Sequence, residues 1–122
     1  MAGGHLFIHP IRDVTIVNFN QTAILDTVQI QQLGEELYEL VDAQARRKVV
    51  LDFSNVKFLS SSALGVLITM QKKAKEIKGR LLLCGLKPDL RKVFKITSLE
   101  KLFEFFETEE QALNAFGVTS AG

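Results

Sequence analysis

The feature that most constrains the fold is an alternation of short apolar runs with longer segments of helical period. Residues 48–53 and 81–84 are compact apolar runs without polar alternation, which is typical of strands buried on both faces of a sheet. Between them, residues 61–78 space their apolar side chains three and four positions apart, as a helix does. Strands that alternate with helices pair largely in parallel, so the sequence predicts an α/β fold.

The other segments extend this order toward both ends of the chain. Residues 6–9 and 14–19 predict a hairpin, and residues 27–44 predict an amphipathic helix. A helix, a strand and a helix follow at residues 88–95, 102–106 and 109–116. We therefore expect a mixed, largely parallel β-sheet of four to five strands with four to five helices.

Length and composition bound the class of protein. The 122 residues fit a single domain over residues 1–122, with its core at about residues 5–116 and a frayed tail at residues 117–122.

The net charge argues against two classes of partner. Fifteen Lys and Arg nearly balance fourteen Asp and Glu, so the chain lacks the large positive charge that would attract a nucleic acid or an anionic membrane. The first five residues lack the features of a secretory signal, and no apolar stretch approaches the ~20 residues that span a bilayer. We expect a cytoplasmic protein with no nucleic-acid partner and no membrane insertion.

The helix that starts near Ser61 has two distinct faces. Each helical residue advances ~100° around the axis, so the apolar residues opposite Ser61 form the core-facing stripe: Ala63, Leu67, Met70, Ala74 and Ile77. Gly65, Ile68 and Lys72 fall near Ser61, with Leu64 at the margin of that sector. An exposed isoleucine beside an exposed serine and a glycine is typical of a docking surface. Taken alone, the spacing favours the other interpretation, in which Ile68 is covered by a neighbouring element and the serines only cap the helix.

Residues 49–66, with the sequence VVLDFSNVKFLSSSALGV, resemble the signature of STAS domains in bacterial anti-sigma factor antagonists. In that family, a strand of the type VVLDLS leads through an apolar link to D-S-S/T-G-L-G at the start of a helix. Residues 25–26 resemble the L-D turn of the family, and residues 83–94 resemble its later strand and short helix. Residues 97–103 resemble its final turn and strand. Nearly the whole chain is covered, which makes the match specific although each short motif is weak.

The resemblance implies a STAS-like single domain that acts by binding. The phosphorylated serine of the family falls on Ser61, with Ser60 and Ser62 as second choices. The implied partner is an anti-sigma factor that is also an ATP-dependent serine kinase, with ATP bound by the partner and not by this chain. Binding the unmodified antagonist frees a sigma factor, and a separate serine phosphatase reverses the modification. The implied partner-binding residues are Asp26, Ser60, Ser61, Ser62, Leu64, Gly65, Ile68 and Lys72. We expect a monomer, with a weak dimer as the alternative.

Two departures from the family pattern keep a second function open. The aspartate before the acceptor is Ser60 here, and the glycine after the serines is Ala63. Losing the aspartate removes a charge that could orient kinase contacts, so the binding function survives this change better than phosphorylation does. The alternative is an unphosphorylated scaffold or accessory subunit, in a stress-signalling assembly or beside a lipid-transport ATPase.

The remaining candidates have structural interpretations. Cys84 has no histidine placed beside it, which predicts a packed thiol rather than a nucleophile. Asp52 is expected to accept backbone N–H groups of the loop at residues 60–62. The cations Lys87, Arg91, Lys92 and Lys95 are interpreted as a solvated face. No phosphate loop, metal-ligand spacing or nucleophile elbow is present in the sequence, so we expect no enzyme activity, no metal and no cofactor.

Overall fold

The structure is a computed structural model that describes residues 6–20, 23–24 and 27–118. The elements, in chain order, are β1 (Leu6–Ile11), β2 (Val14–Phe19), β3 (Ala23–Ile24), α1 (Thr27–Asp42), β4 (Lys48–Asp52), β5 (Phe58–Leu59), α2 (Ser61–Glu76), β6 (Arg80–Cys84), α3 (Pro88–Ile96), a 3₁₀ turn (Leu99–Lys101), β7 (Glu104–Phe106) and α4 (Glu109–Ala115). Within the described part of the chain, no helix has both the length and the hydropathy of a bilayer span.

Five of these strands form one sheet in the order β1-β2-β4-β6-β7. The hairpin pair β1 and β2 is antiparallel, and the β2–β4, β4–β6 and β6–β7 pairs are parallel. This confirms the mixed, largely parallel sheet expected from the alternation of strands and helices. A parallel crossover returns each strand to the same edge, so the carboxyl ends of β2, β4, β6 and β7 lie together.

Side chains that alternate along each strand divide the core into two clusters. In β4, Val49 and Leu51 belong to the larger cluster, which also contains the buried apolar side chains of α1, α2 and α3. Val50 belongs to the smaller cluster, which includes Ala112 and Leu113 of α4. The central strands are therefore buried on both faces, which explains their continuous apolar sequence.

The differences from the sequence-based expectations are local. Residues 58–59, for which no strand was predicted from the sequence, form β5 and pair in parallel with β3. The last strand begins at Glu104 rather than at residue 102, because Leu102 closes the 3₁₀ turn and its carbonyl oxygen accepts a hydrogen bond from the Gln71 side chain. Val118, predicted from the sequence to lie in a frayed tail, is buried in the smaller cluster. Residues 119–122 lie outside the described residues.

Candidate functional site

Ser60 caps the amino end of α2. Its backbone is extended, with φ −82° and ψ 168°, and its hydroxyl oxygen accepts the backbone N–H of Ala63 at 3.2 Å. Its carbonyl oxygen accepts the N–H of Leu64 at 3.1 Å, which is the first bond of the helix. The short polar side chain therefore starts the helix here, because it satisfies an N–H that has no intrahelical acceptor.

Ser61 and Ser62 occupy the first two positions of α2, and both are exposed. The exposed position of Ser61 agrees with the face predicted from the helical spacing. A group attached to its hydroxyl would lie near free N–H groups of the first turn and the positive end of the helix dipole. This environment stabilises an anion.

The residues that follow on α2 divide between surface and core. Gly65 is exposed, and a Cβ built there would meet nothing within 4 Å. Lys72 is exposed, and Ile68 is half-buried against the larger core cluster. Leu64 is only 6% exposed and belongs to that cluster, so its assignment to the partner-binding surface is wrong. The buried sector of α2 is wider than its apolar stripe because the helix packs against both α1 and the sheet.

Asp26, predicted to lie near the partner, falls outside the described residues, as does Leu25 before it. The structure begins again at Thr27, the first residue of α1.

The connection from β4 to α2 is anchored at Ser54. One oxygen of Asp52, Oδ1, accepts the backbone N–H of Ser54 at 2.8 Å and its hydroxyl at 2.5 Å. The ammonium group of Lys87 donates to the carbonyl oxygen of Ser54. Gly85 has φ +73°, and a Cβ there would lie 2.5 Å from Ser54 Oγ. Asp52 thus supports the turn at Ser54, and the expectation that it holds residues 60–62 is wrong.

A chain of polar side chains runs from β1 to this turn on the α4 side of the sheet. His9 Nε2 lies 3.0 Å from Asn18 Oδ1, and Asn18 Nδ2 donates to Glu109 Oε2 at 2.9 Å. The carboxyl groups of Glu109 and Asp52 share a hydrogen bond. Asn18 and Asp52 are paired neighbours near the carboxyl ends of the parallel strands β2 and β4, and Glu109 is the first residue of α4. This chain of polar side chains therefore links the turn at Ser54 to α4.

The pKa values of the two carboxyl groups are shifted in opposite directions. Burial acts to raise the pKa of Asp52, but hydrogen bonds from Glu109, Ser54 and Asn18 outweigh it and hold that pKa below its ordinary value. The hydrogen bond to Asp52 and burial raise the pKa of Glu109. Sequence reasoning missed Glu109, since nothing local in the sequence connects it with Asp52.

Cys84 is fully buried beside this pair. Burial, and then the negative charges of Asp52 and Glu109, raise the pKa of its thiol far above the ordinary value. The thiol therefore stays protonated and packs as a small apolar group, as predicted. Among the described residues, no group of three or more His, Cys, Asp or Glu is arranged to hold a metal ion.

Comparison with known proteins gives a consistent result along most of the chain. The family model for the STAS domain matches residues 8–112. BtrV of Bordetella bronchiseptica, which carries the name of an anti-sigma factor antagonist, is 34% identical over 93 residues. That alignment covers 76% of this chain and 79% of BtrV. The matched region of the family model includes the connection from β4 to α2 and the serines at its end.

Solved structures share the fold. An anti-sigma factor antagonist from Mycobacterium paratuberculosis has a TM-score of 0.80 and 25% identity, with 93% of each chain covered. The anti-sigma factor antagonist SpoIIAA in its unphosphorylated form has a TM-score of 0.71 and 19% identity, covering 92% of this chain and 97% of its own. SpoIIAA of Bacillus in the phosphorylated form has a TM-score of 0.70 and 20% identity, covering 91% and 98%.

Proposed function

The chain belongs to the STAS domain family, and we propose that it is an anti-sigma factor antagonist switched by phosphorylation of Ser61. Unmodified, it binds an anti-sigma factor that is also a serine kinase, and this binding releases a sigma factor. The kinase transfers a phosphoryl group to Ser61 from ATP held in its own site. A serine phosphatase then restores the binding form. The chain supplies a surface and an acceptor and performs no catalysis of its own.

The observation that carries this proposal is the exposed Ser61 beside a capping Ser60. Ser60 already uses its hydroxyl oxygen to accept the Ala63 N–H, so its modification would disturb the helix start. Among the described residues, the Ser61 side chain does not cap the helix, and it is exposed to solvent. Ser62 is also exposed and remains the second choice. The family has an aspartate at the position of Ser60. A serine hydroxyl can replace its carboxylate as the hydrogen-bond acceptor that caps the helix, so this departure is compatible with the proposal.

A phosphoryl group on Ser61 would change the surface rather than the fold. It adds about −1.5 to −2 charge at neutral pH. Free N–H groups and the helix dipole stabilise that charge, so the domain stays folded. A partner surface fitted to a small neutral hydroxyl would have to desolvate a dianion, which weakens binding. The relative SpoIIAA, solved in unphosphorylated and phosphorylated forms, supports a switch of this kind.

The surface next to Ser61 fits close approach by a partner. Gly65 presents bare backbone, since nothing lies within 4 Å of the position of a Cβ. Ile68 offers the outer part of a half-buried apolar side chain, and Lys72 adds a charge at the rim. We assign Ser60, Ser61, Ser62, Gly65, Ile68 and Lys72 to this surface, together with Asp26 on the basis of the family resemblance. We propose that the chain binds this kinase as a monomer in the cytoplasm.

Mass spectrometry after incubation with ATP and the cognate kinase tests the acceptor assignment. We expect the addition of one phosphoryl group to the peptide that contains residues 60–62. The Ser61→Ala variant should stay unmodified, while the matched Ser62→Ala variant should be modified like the wild type. An unmodified wild-type peptide, with the kinase active on another substrate, would favour the scaffold or accessory subunit instead.

A further inference from the structure

The outer face of α3 carries a groove made of two adjoining hollows that share Pro88 and Arg91. The first has a volume of about 400 Å³ and is also lined by Lys92, Lys95 and Glu100. The second has a volume of about 380 Å³, and its further lining is Leu86, Phe105, Phe106, Glu107 and Gln111. The end of the groove at Lys92 and Lys95 is therefore cationic, whereas the other end combines aromatic side chains with a carboxylate and an amide. No residue at the start of α2 lines either hollow.

Arg91 lies where the two hollows meet. Its guanidinium carbon lies 3.8 Å from the centroid of the Phe105 ring, which is a close cation–π contact. Its Nη1 atom is 3.7 Å from Glu100 Oε2, a distance at the loose end of an ion pair. Stacking on the ring restricts the arginine side chain, so less entropy is lost when it binds a carboxylate.

Positive charge is concentrated at the first hollow. Three of its lining residues, Arg91, Lys92 and Lys95, are cations and one, Glu100, is a carboxylate, whereas the whole chain has a net charge of only +1. Lys92 and Lys95 are exposed, and neither forms an ion pair with any described residue. Two unpaired ammonium groups beside a stacked guanidinium create a local positive potential that favours a carboxylate-bearing partner.

The burial of the apolar side of α3 argues against a lipid surface as the partner that binds at the groove. The apolar side of this nine-residue helix is used by the core, since Leu90 is 2% exposed and Phe94 is fully buried. An interfacial helix needs that side free to enter the bilayer. The only large apolar side chain of α3 that is exposed among the described residues is Ile96. A concave site that combines aromatic and charged side chains fits a polypeptide better than a membrane.

We propose that this groove binds an acidic segment of a partner protein, separately from the surface around Ser61. Carboxylates of that segment pair with Arg91, Lys92 and Lys95, and an adjoining apolar side chain enters the hollow beside Phe105. Because the groove excludes the start of α2, the contact persists whether or not Ser61 is phosphorylated. The chain thus has a second docking surface that its proposed switch does not control.

Fluorescence anisotropy with a defined peptide tests this surface. The probe is a fluorescein-labelled peptide of three glutamates, a glycine and a phenylalanine, and the matched peptide has glutamines in place of the glutamates. We expect saturable, salt-sensitive binding of the acidic peptide only. Ser61→Asp should bind the probe like the wild type. In ¹⁵N-labelled protein, amide shifts should concentrate at residues 88–95 and 105–111.

A pair of charge-reversed variants isolates the groove. Lys92→Glu/Lys95→Glu should weaken binding of the acidic peptide by about tenfold or more, since two attractive contacts become repulsive. Lys75→Glu/Lys78→Glu, which makes the same change in net charge at exposed sites outside the groove, should stay within about twofold of the wild type. Thermal melts verify that both variants fold.

Four results would overturn the proposal. These are equal loss of affinity in both double variants, equal binding of the glutamine peptide, no binding of the acidic peptide at millimolar concentration, and a preference for phosphatidylglycerol vesicles over the peptide.

Discussion

The hydroxyl oxygen of Ser60 lies 3.2 Å from the backbone nitrogen of Ala63 and caps α2. Replacing this residue by alanine leaves that N–H without its acceptor, so Ser60→Ala should lower the free energy of unfolding by about 1 kcal/mol. Ser60→Asp should keep the cap and the stability. The matched Ser62→Ala change removes an exposed hydroxyl and should cost less than about 0.5 kcal/mol. Urea denaturation of the three variants measures these differences, and equal stabilities for Ser60→Ala and the wild type would refute the capping role.

Gly85 and Gly117 both have positive φ, at +73° and +81°, but differ in their surroundings. A Cβ at Gly85 would lie 2.5 Å from Ser54 Oγ, whereas one at Gly117 would meet nothing within 4 Å. Gly117→Ala should cost about 1 kcal/mol from the left-handed backbone alone. Gly85→Ala should cost at least ~1 kcal/mol more, because the turn at Ser54 must also move. Chemical denaturation of both variants gives the comparison, and equal losses would show that the contact at Ser54 is not restrictive.

The carboxyl pair of Asp52 and Glu109 should make stability depend on pH. The raised pKa of Glu109 means that the folded state holds its proton more tightly than the unfolded chain does. That contribution is complete below the ordinary glutamate pKa and is lost as the pH rises through the raised value. The lowered pKa of Asp52 acts oppositely, since its contribution is present above the ordinary aspartate pKa and is lost as the pH falls through the lowered value.

Glu109→Gln tests this pair directly. The amide imitates the protonated acid, because its oxygen can accept from Asn18 and its nitrogen can donate to Asp52. We expect the variant to gain stability over the wild type as the pH rises above about 4.5, the ordinary glutamate value. Urea denaturation at a series of pH values from 4 to 8 measures the difference. A difference that does not change with pH would show that the folded state does not raise the pKa of Glu109.

Ile68 lies at the border of the core and the proposed partner surface. A lysine there can keep its methylene groups along the half-buried site and extend its charge into water, so Ile68→Lys should remain folded at a cost of about 1 to 2 kcal/mol. Affinity for the kinase, measured by calorimetry, should fall strongly. The matched Phe7→Lys change, at a side chain that is 67% exposed on β1, should leave the affinity unchanged. Loss of the cooperative melt would place Ile68 in the core, and unchanged affinity would remove it from the surface.

The elements that could be predicted from the sequence are those with a strong local pattern. The uninterrupted apolar sequences of β4 and β6 predict buried parallel strands, and the three serines before an apolar period predict the start of α2. The strand β3 has two residues and pairs with β5, so its stability depends on a partner distant in sequence. Pairing of this kind leaves no periodic signal in either segment.

The errors at the site have the same physical origin. Projecting α2 on a wheel locates its apolar stripe but not the breadth of its contact with α1 and the sheet, so the burial of Leu64 was missed. The polar chain through Asn18 and Glu109 joins residues 91 positions apart. Asp52 comes near Asn18 and Glu109 only because β2 and β4 pair in parallel and end at the same edge of the sheet. Asp52 accepts hydrogen bonds from Ser54, two residues later in the chain, rather than from the serines at residues 60–62.

The central claim is that a negative charge at Ser61 prevents partner binding while the fold is unchanged. The most direct measurement is a calorimetric titration of the cognate kinase with the wild type, Ser61→Asp and the nearly isosteric, uncharged Ser61→Asn, each checked by a thermal melt. We predict that Ser61→Asn binds within a fewfold of the wild type, whereas Ser61→Asp loses about tenfold or more in affinity with an unchanged melting temperature. Equal affinities for the Asp and Asn variants would contradict the account.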